Sequence, residues 1–136
     1  SRSAAEKGIV IAFEPEPGMF IENLDQFQTL HDRVNHDAFK LTLDLGHAFL
    51  TEPDLTGTIK RFGDVTANIH LEDMKRPVHD HLFFGQGDID FKTVFGTLNE
   101  MGYQGQVNIE LSRHSHDAVN VCTRAKAWID DICMAL

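Results

Sequence analysis

Glu14, Asp44, His70 and Glu110 occupy equivalent places in four short runs of alternating apolar and polar residues: Ile9–Glu14, Phe39–Asp44, Thr66–Leu71 and Gln106–Leu111. Three carboxylates and one imidazole make a mixed oxygen and nitrogen shell. Such a shell suits Mn, Co, Mg or Zn in a reactive centre better than it suits a thiolate-bound structural zinc. Glu16 competes with Glu14 for the first position, but Pro15 and Pro17 end the strand there and turn the chain. Glu14 keeps the strand parity and is the expected ligand.

Further polar groups follow each of these positions. His47 stands three residues after Asp44, past Gly46, which permits a tight bend, and is suited to a substrate oxygen, a second metal or a plain loop. His79 and His81, separated by Asp80, can chelate a second metal together with His47 if their loop folds over the first site; otherwise they decorate a solvated loop. Arg113, His114 and His116 follow Glu110, where barrel enzymes often bind a phosphate group. A polar loop capped at Asp117 accounts for the same residues. Gly85-Gln86-Gly87 is a weak signal for a phosphate cradle, and Asp88 or Asp90 is placed to cap the next helix.

The elements that must position these groups follow from periodicity. The four runs alternate with period two and are expected as strands. Helical spacing is expected over 21–35, 55–62, 91–101 and 117–134. Strand starts fall 30, 27 and 40 residues apart, the spacing of parallel strand–helix units. Within the strands, Ile9, Ile11 and Phe13, Leu41 and Leu43, Ala67, Ile69 and Leu71, and Val107, Ile109 and Leu111 share the helix-facing parity. The other parity carries Ala12, Thr42, Asn68 and Asn108 and then the four chemical residues. A doubly wound sheet, apolar on both faces, fits this poorly. The expected fold is α/β: a (β/α)4 half of a TIM barrel, with parallel strands, outer helices and chemistry at the carboxyl ends of the strands.

A closed barrel needs eight strand–helix units and about 250 residues, so residues 1–136 are expected as one half-barrel domain, completed by an N-terminal half or by self-association as a homodimer. The connection from Glu72 to Asp90 is long, and long loops in compact domains are usually functional. A net charge of −9 argues against nucleic acid as a partner, which needs clustered Lys and Arg. With no 18-residue apolar run, no membrane partner is expected either, and the cytoplasm is the expected location. Cys122 and Cys133 are too few for a disulfide framework and are expected as reduced thiols in the core, on one face of the last helix.

Five motifs carry a resemblance: Ala12-Phe13-Glu14-Pro15, Leu43-Asp44-Leu45-Gly46-His47, Ile69-His70-Leu71-Glu72-Asp73, Phe84-Gly85-Gln86-Gly87-Asp88-Ile89-Asp90-Phe91 and Val107-Asn108-Ile109-Glu110. In order and spacing the chain resembles strands five to eight of the xylose isomerase-like TIM barrels, the sugar phosphate isomerase/epimerase group with an apurinic endonuclease branch. The resemblance implies that Glu14, Asp44, His70 and Glu110 bind a divalent cation, that Glu14 and Glu110 also exchange a substrate proton, and that His47 and Arg76 meet substrate oxygens. The implied activity is isomerisation or epimerisation of a small carbohydrate, a sugar or sugar phosphate, through an enediolate. Two alternatives stand beside it. One is a multinuclear zinc phosphoesterase, from which the chain departs by carrying His79 where that branch has an aspartate. The other is a catalytically silent half-barrel.

Overall fold

The computed structural model describes all 136 residues. In chain order the elements are α1 (Arg2–Ala5), β1 (Ile11–Phe13), α2 (Leu24–Val34), β2 (Phe39–Asp44), α3 (Leu45–Thr51), α4 (Leu55–Phe62), β3 (Thr66–Leu71), β4 (Asp73–Lys75), β5 (Val78–Leu82), α5 (Phe91–Glu100), β6 (Gln106–Ile109) and α6 (Ala118–Met134). Strands β1, β2, β3 and β6 form one sheet in that order, with every pairing parallel. This is a partial barrel: parallel strands in sequence order, joined through helices.

Local chemistry sets the helix starts. Asn23 accepts a hydrogen bond from the Gln26 amide at 3.0 Å, Asp54 from Gly57 at 3.0 Å and Asp90 from Thr93 at 3.1 Å, so each satisfies an amide that the first turn leaves free. Asn35 ends α2 in the left-handed region, with φ of 41°. One face of the sheet then buries Leu41, Leu43, Ile69 and Leu71 against Phe27 of α2, Ile59 and Phe62 of α4 and Val94 of α5. Full burial of each such side chain contributes about 1.5–3 kcal/mol. Phe27 centres an aromatic cluster, with ring centroids 6.1 Å from both Phe39 and Phe62. Trp128 on α6 stacks on Phe84 at 4.9 Å.

The two inner strands match the expected bounds. The outer two are shorter, since β1 begins at Ile11 rather than Ile9 and β6 stops at Ile109 rather than Leu111. Each edge strand has a ladder partner on one side only, so its ends lose pairing first. The same cause leaves Ile9, Ile11, Val107 and Ile109 exposed, although their parity matches the buried residues of β2 and β3.

Three expectations need correction. Cys122 and Cys133 are free but exposed, because α6 buries Val121 and Ala125 instead and each thiol is turned off that face. The segment after Asp44 is a helix rather than a bend, capped by Asp44 itself. The stretch from Glu72 to Asp90 holds an antiparallel hairpin, β4 with β5, rather than an open loop.

Candidate active site

The parallel register aligns the strand ends. Asp44 pairs with His70 and His70 with Asn108, so the carboxyl ends of β2, β3 and β6 lie side by side. Glu14 follows β1 directly, and the Glu110 amide donates to the Leu71 carbonyl at 2.8 Å. One potential ligand atom from each of Glu14, Asp44, His70 and Glu110 lies within 4.8 Å of all the others. The structure thus brings together all four residues expected from parity.

His70 Nδ1 sits at the centre, 2.6 Å from Glu110 Oε2, 3.4 Å from Glu14 Oε2 and 4.0 Å from Asp44 Oδ2. The contacts are close but lack hydrogen-bond alignment, and both His70 Nδ1 and Asp44 Oδ2 are buried without a partner. Buried polar atoms are normally satisfied, so an unpaired ring nitrogen among three carboxylates is a donor set that fits a cation. Contact with the Glu14 carboxylate raises the His70 pKa, opposed by burial and reinforced by the charges of Glu14, Glu110 and Asp44. Burial pushes Glu14 upward, but the His70 contact and the charges of His70, His47 and His81 outweigh it and lower its pKa.

Asp44 also caps α3, accepting from the His47 amide at 2.7 Å. That bond fixes His47, whose Nδ1 lies 3.1 Å from the Pro15 carbonyl and whose Nε2 lies 2.9 Å from His79 Nε2. Donation from Nδ1 to Pro15 leaves Nε2 as an acceptor, facing His79 Nε2. His47, His79 and His81 form a second group with potential ligand atoms within 4.8 Å of one another. The hairpin carries His79 and His81 over the first group, with His81 Nδ1 4.0 Å from Glu110 Oε1.

The other expected contact residues are placed differently. Arg76 spends its guanidinium on backbone, donating to the Phe49 carbonyl at 2.6 Å and the Glu52 carbonyl at 2.9 Å, and lies over the Phe49 ring. Arg113 is in ion-pair contact with Asp80 on the hairpin, without hydrogen-bond alignment to it. His114 packs edge-on against Phe83, with centroids 6.3 Å apart. None of these three joins either histidine or carboxylate group.

Two residues without an expected role prove central. Glu72 is fully buried, and its Oε1 accepts from the Gly46 amide at 2.6 Å. Burial, then the charge of Asp44 and a hydrogen bond with it, push Glu72 up to about 10, so it is a neutral acid near pH 7. As carboxylates, Asp44 Oδ2 and Glu72 Oε2 are both unpartnered; a proton on Glu72 shared with Asp44 satisfies the pair. Asp73, 1% exposed, accepts from the amides of Met74, Gly85, Gly87 and Ile89. Glu72 shares the inward parity of His70, a signal present in the sequence. Asp73 has no such signal, because three of its four partners lie 12 to 16 residues away.

Fold and site together define one half of a parallel strand–helix barrel with a cation-type ligand set at the carboxyl ends of its strands. The chain belongs to the xylose isomerase-like TIM barrel family, whose model matches residues 2–133. It is 25% identical over 146 residues to an inosose dehydratase of Lacticaseibacillus casei, covering 93% of this chain and 49% of that protein. It is 30% identical over 98 residues to the L-ribulose-5-phosphate 3-epimerase UlaE of Escherichia coli, covering 71% of this chain and 34% of that one. Among solved structures it superposes on the IolI protein with a bound zinc atom, with a TM-score of 0.74 and 22% identity, over 95% of this chain and 50% of that one. The chain therefore spans less than half the length of these two curated relatives. No helix is long and apolar enough to cross a membrane.

Proposed function

We propose that residues 1–136 are a half-barrel domain of a divalent-metal-dependent isomerase or epimerase acting on a small carbohydrate. The convergence of Glu14, Asp44, His70 and Glu110 carries this reading. The donor set fits a cation such as Mn, Co, Mg or Zn, since its buried His70 Nδ1 has no other partner. A zinc-bound structural neighbour and epimerase and dehydratase relatives support the same reading.

A bound divalent ion supplies Lewis-acid polarisation of substrate oxygens. The chain's own groups do the rest. Glu14 and Glu110 reach the His70 ring nitrogen from different edge strands, so each can hold or release a proton beside a carbon next to a carbonyl. A carboxylate on each side of the substrate permits epimerisation, and one shuttling between neighbouring carbons permits aldose–ketose isomerisation. Asp44, with Oδ1 capping α3, presents Oδ2 both to the neutral Glu72 and to the site, 4.0 Å from His70 Nδ1. His47, beside Glu14, is the imidazole assigned to a substrate hydroxyl. The open edges of β1 and β6 are completed by an N-terminal half-barrel or by a second copy of this chain.

The test is metal per chain together with exchange of a sugar hydrogen for solvent deuterium. About one ion per chain, with exchange lost in Glu110→Gln and kept in Glu16→Gln, is expected. Stoichiometric metal with no exchange on any ketose or aldose would refute the assignment. The group of His47, His79 and His81 favours a second reading, a multinuclear metal site as in phosphoesterases. Two or three ions per chain with phosphodiester cleavage would establish it. No uptake of Mn or Zn would establish a silent half-barrel.

A further inference from the structure

The hairpin of β4 and β5 carries His79 and His81 over the carboxylate group, yet its ladder does not fix which way they face. Lys75 pairs with Val78 and Asp73 with Leu82, so the three residues His79 to His81 stand opposite Met74 alone. Such a bulge interrupts the pairing and leaves side-chain direction to other contacts. The direction is nonetheless definite. The His79 and His81 rings lie on one side, with centroids 4.7 Å and 5.9 Å from that of His47. Asp80, between them on an alternating strand, takes the other side and meets Arg113.

Arg113 belongs to the 3-10 turn Ser112–Asp117, just beyond Glu110. One loop therefore grips β5 on both faces. On the site side His81 Nδ1 lies 4.0 Å from Glu110 Oε1, and on the other Arg113 Nε is in ion-pair contact with Asp80 Oδ1. That oxygen is buried and accepts no hydrogen bond, so its charge depends on Arg113 for compensation. Phe83, just past the end of β5, is buried under the Arg124 guanidinium, 4.6 Å over its ring. That packing anchors the strand end without distinguishing the two faces of β5. The Asp80 contact does distinguish them. Turned inward, Asp80 would set a fourth carboxylate beside Glu14, Asp44 and Glu110 and take both histidines away from the site. The other Lys and Arg ion pairs, Lys60 with Glu100, Arg61 with Asp25 and Lys126 with Asp130, join helices or lie within one. Arg113 and Asp80 instead link two segments that both carry site residues.

We propose that Arg113 is a positioning residue of the candidate site: held on Asp80, it fixes the bulge of β5 so that His79 faces His47 and His81 faces Glu110. It acts through Asp80 and touches no reacting group. This rests on the enzyme reading above and names what keeps its histidines over the carboxylates.

The experiment is NMR of the metal-free protein, comparing the wild type with Arg113→Gln, Asp80→Asn and the double variant. The readouts are amide hydrogen exchange along Val78–Leu82 and the ring nitrogen signals of His79 and His81. The pair is partly exposed, so either single substitution should speed exchange in β5 by about fivefold. It should also move both ring signals, while exchange in β2 and β3 stays at the wild-type rate. The double variant should differ from either single one by less than about twofold, because both substitutions remove the same contact. Unmoved histidine signals overturn the proposal, as does exchange that rises equally in β2 and β3, or single effects that multiply in the double variant. Failure of the underlying enzyme reading looks different: the metal-loaded wild type would exchange no hydrogen of D-fructose or any other sugar with solvent, while the histidine signals would still respond to Arg113→Gln.

Discussion

The neutral state of Glu72 has a measurable consequence for stability. Its ordinary value is 4.5, and in the folded protein it is pushed up to about 10 by burial and by Asp44. A group whose folded value is raised holds its full stabilising contribution below the unfolded value and loses it as pH rises toward the folded one. Between 4.5 and 10 the folded protein keeps one proton that the unfolded chain releases. Stability therefore falls by about 1.4 kcal/mol per pH unit from this group. At pH 7, two and a half units above 4.5, the cost is about 3 kcal/mol. Glu72→Gln keeps an acceptor for Gly46 and a donor for Asp44 without needing that proton. Urea unfolding in the presence of a chelator should show this variant more stable than the wild type at pH 7, by up to about 3 kcal/mol. The gain should shrink steadily toward pH 5. Glu72→Ala should fall below Glu72→Gln by about 2–5 kcal/mol, because it strands the buried Gly46 amide and Asp44 oxygen. A Glu72→Gln difference that is independent of pH, or a loss as large as that of Glu72→Ala, would refute the neutral-acid assignment.

Four further outcomes are expected. Glu110→Gln should lower the rate of hydrogen exchange by about 10²–10⁴-fold in a deuterium exchange assay, as loss of a proton-transfer group does. Metal uptake should strengthen as pH rises through the elevated His70 value, with proton release on binding, because the ring must be neutral to ligate; titrations at several pH values check this, and pH-independent affinity would exclude His70 as a ligand. Gly87→Ala should destabilise the chain by about 1–3 kcal/mol in thermal unfolding, since its Cβ meets Asp73 and the Met74 backbone. Arg76→Ala should cost about 1–2 kcal/mol of stability by freeing the Phe49 and Glu52 carbonyls, while leaving metal per chain unchanged.

Much of the fold was legible because its signals are local. Period-two alternation located β2 and β3 to the residue, and side-chain parity alone singled out Glu14, Asp44, His70 and Glu110. Pairing depends on neighbours the alternation does not reveal, so the bounds of β1 and β6 were overextended. Helix α3 was missed because Asp44 was assigned to chemistry, whereas its one carboxylate both caps the helix and faces the site. Glu72 was within reach, two residues beyond His70 on the same parity. Asp73 and the engagement of Arg76 and Arg113 depend on contacts distant in sequence, between Arg76 and Phe49 or Asp80 and Arg113, which no periodicity encodes.

The placement of the four ligand residues ties the site to whatever closes the sheet. Asp44 and His70 stand on the inner strands, and the Asp44 side chain is wholly buried. Glu14 and Glu110 stand just beyond the edge strands, with side chains 29% and 34% exposed. These are also the two groups assigned to proton transfer, and their basicity depends on how far water is excluded. A neighbouring strand on β1 and another on β6 would desolvate both carboxylates while leaving Asp44 almost unchanged. On the proposed assignment Asp44 would anchor the cation, and a partner half would set how strongly the outer pair binds it and at what pH they exchange protons. Adding a complementary half-barrel should therefore raise metal affinity and alter the pH profile of exchange together. A half that restored one and not the other would show that the edges do not control the site.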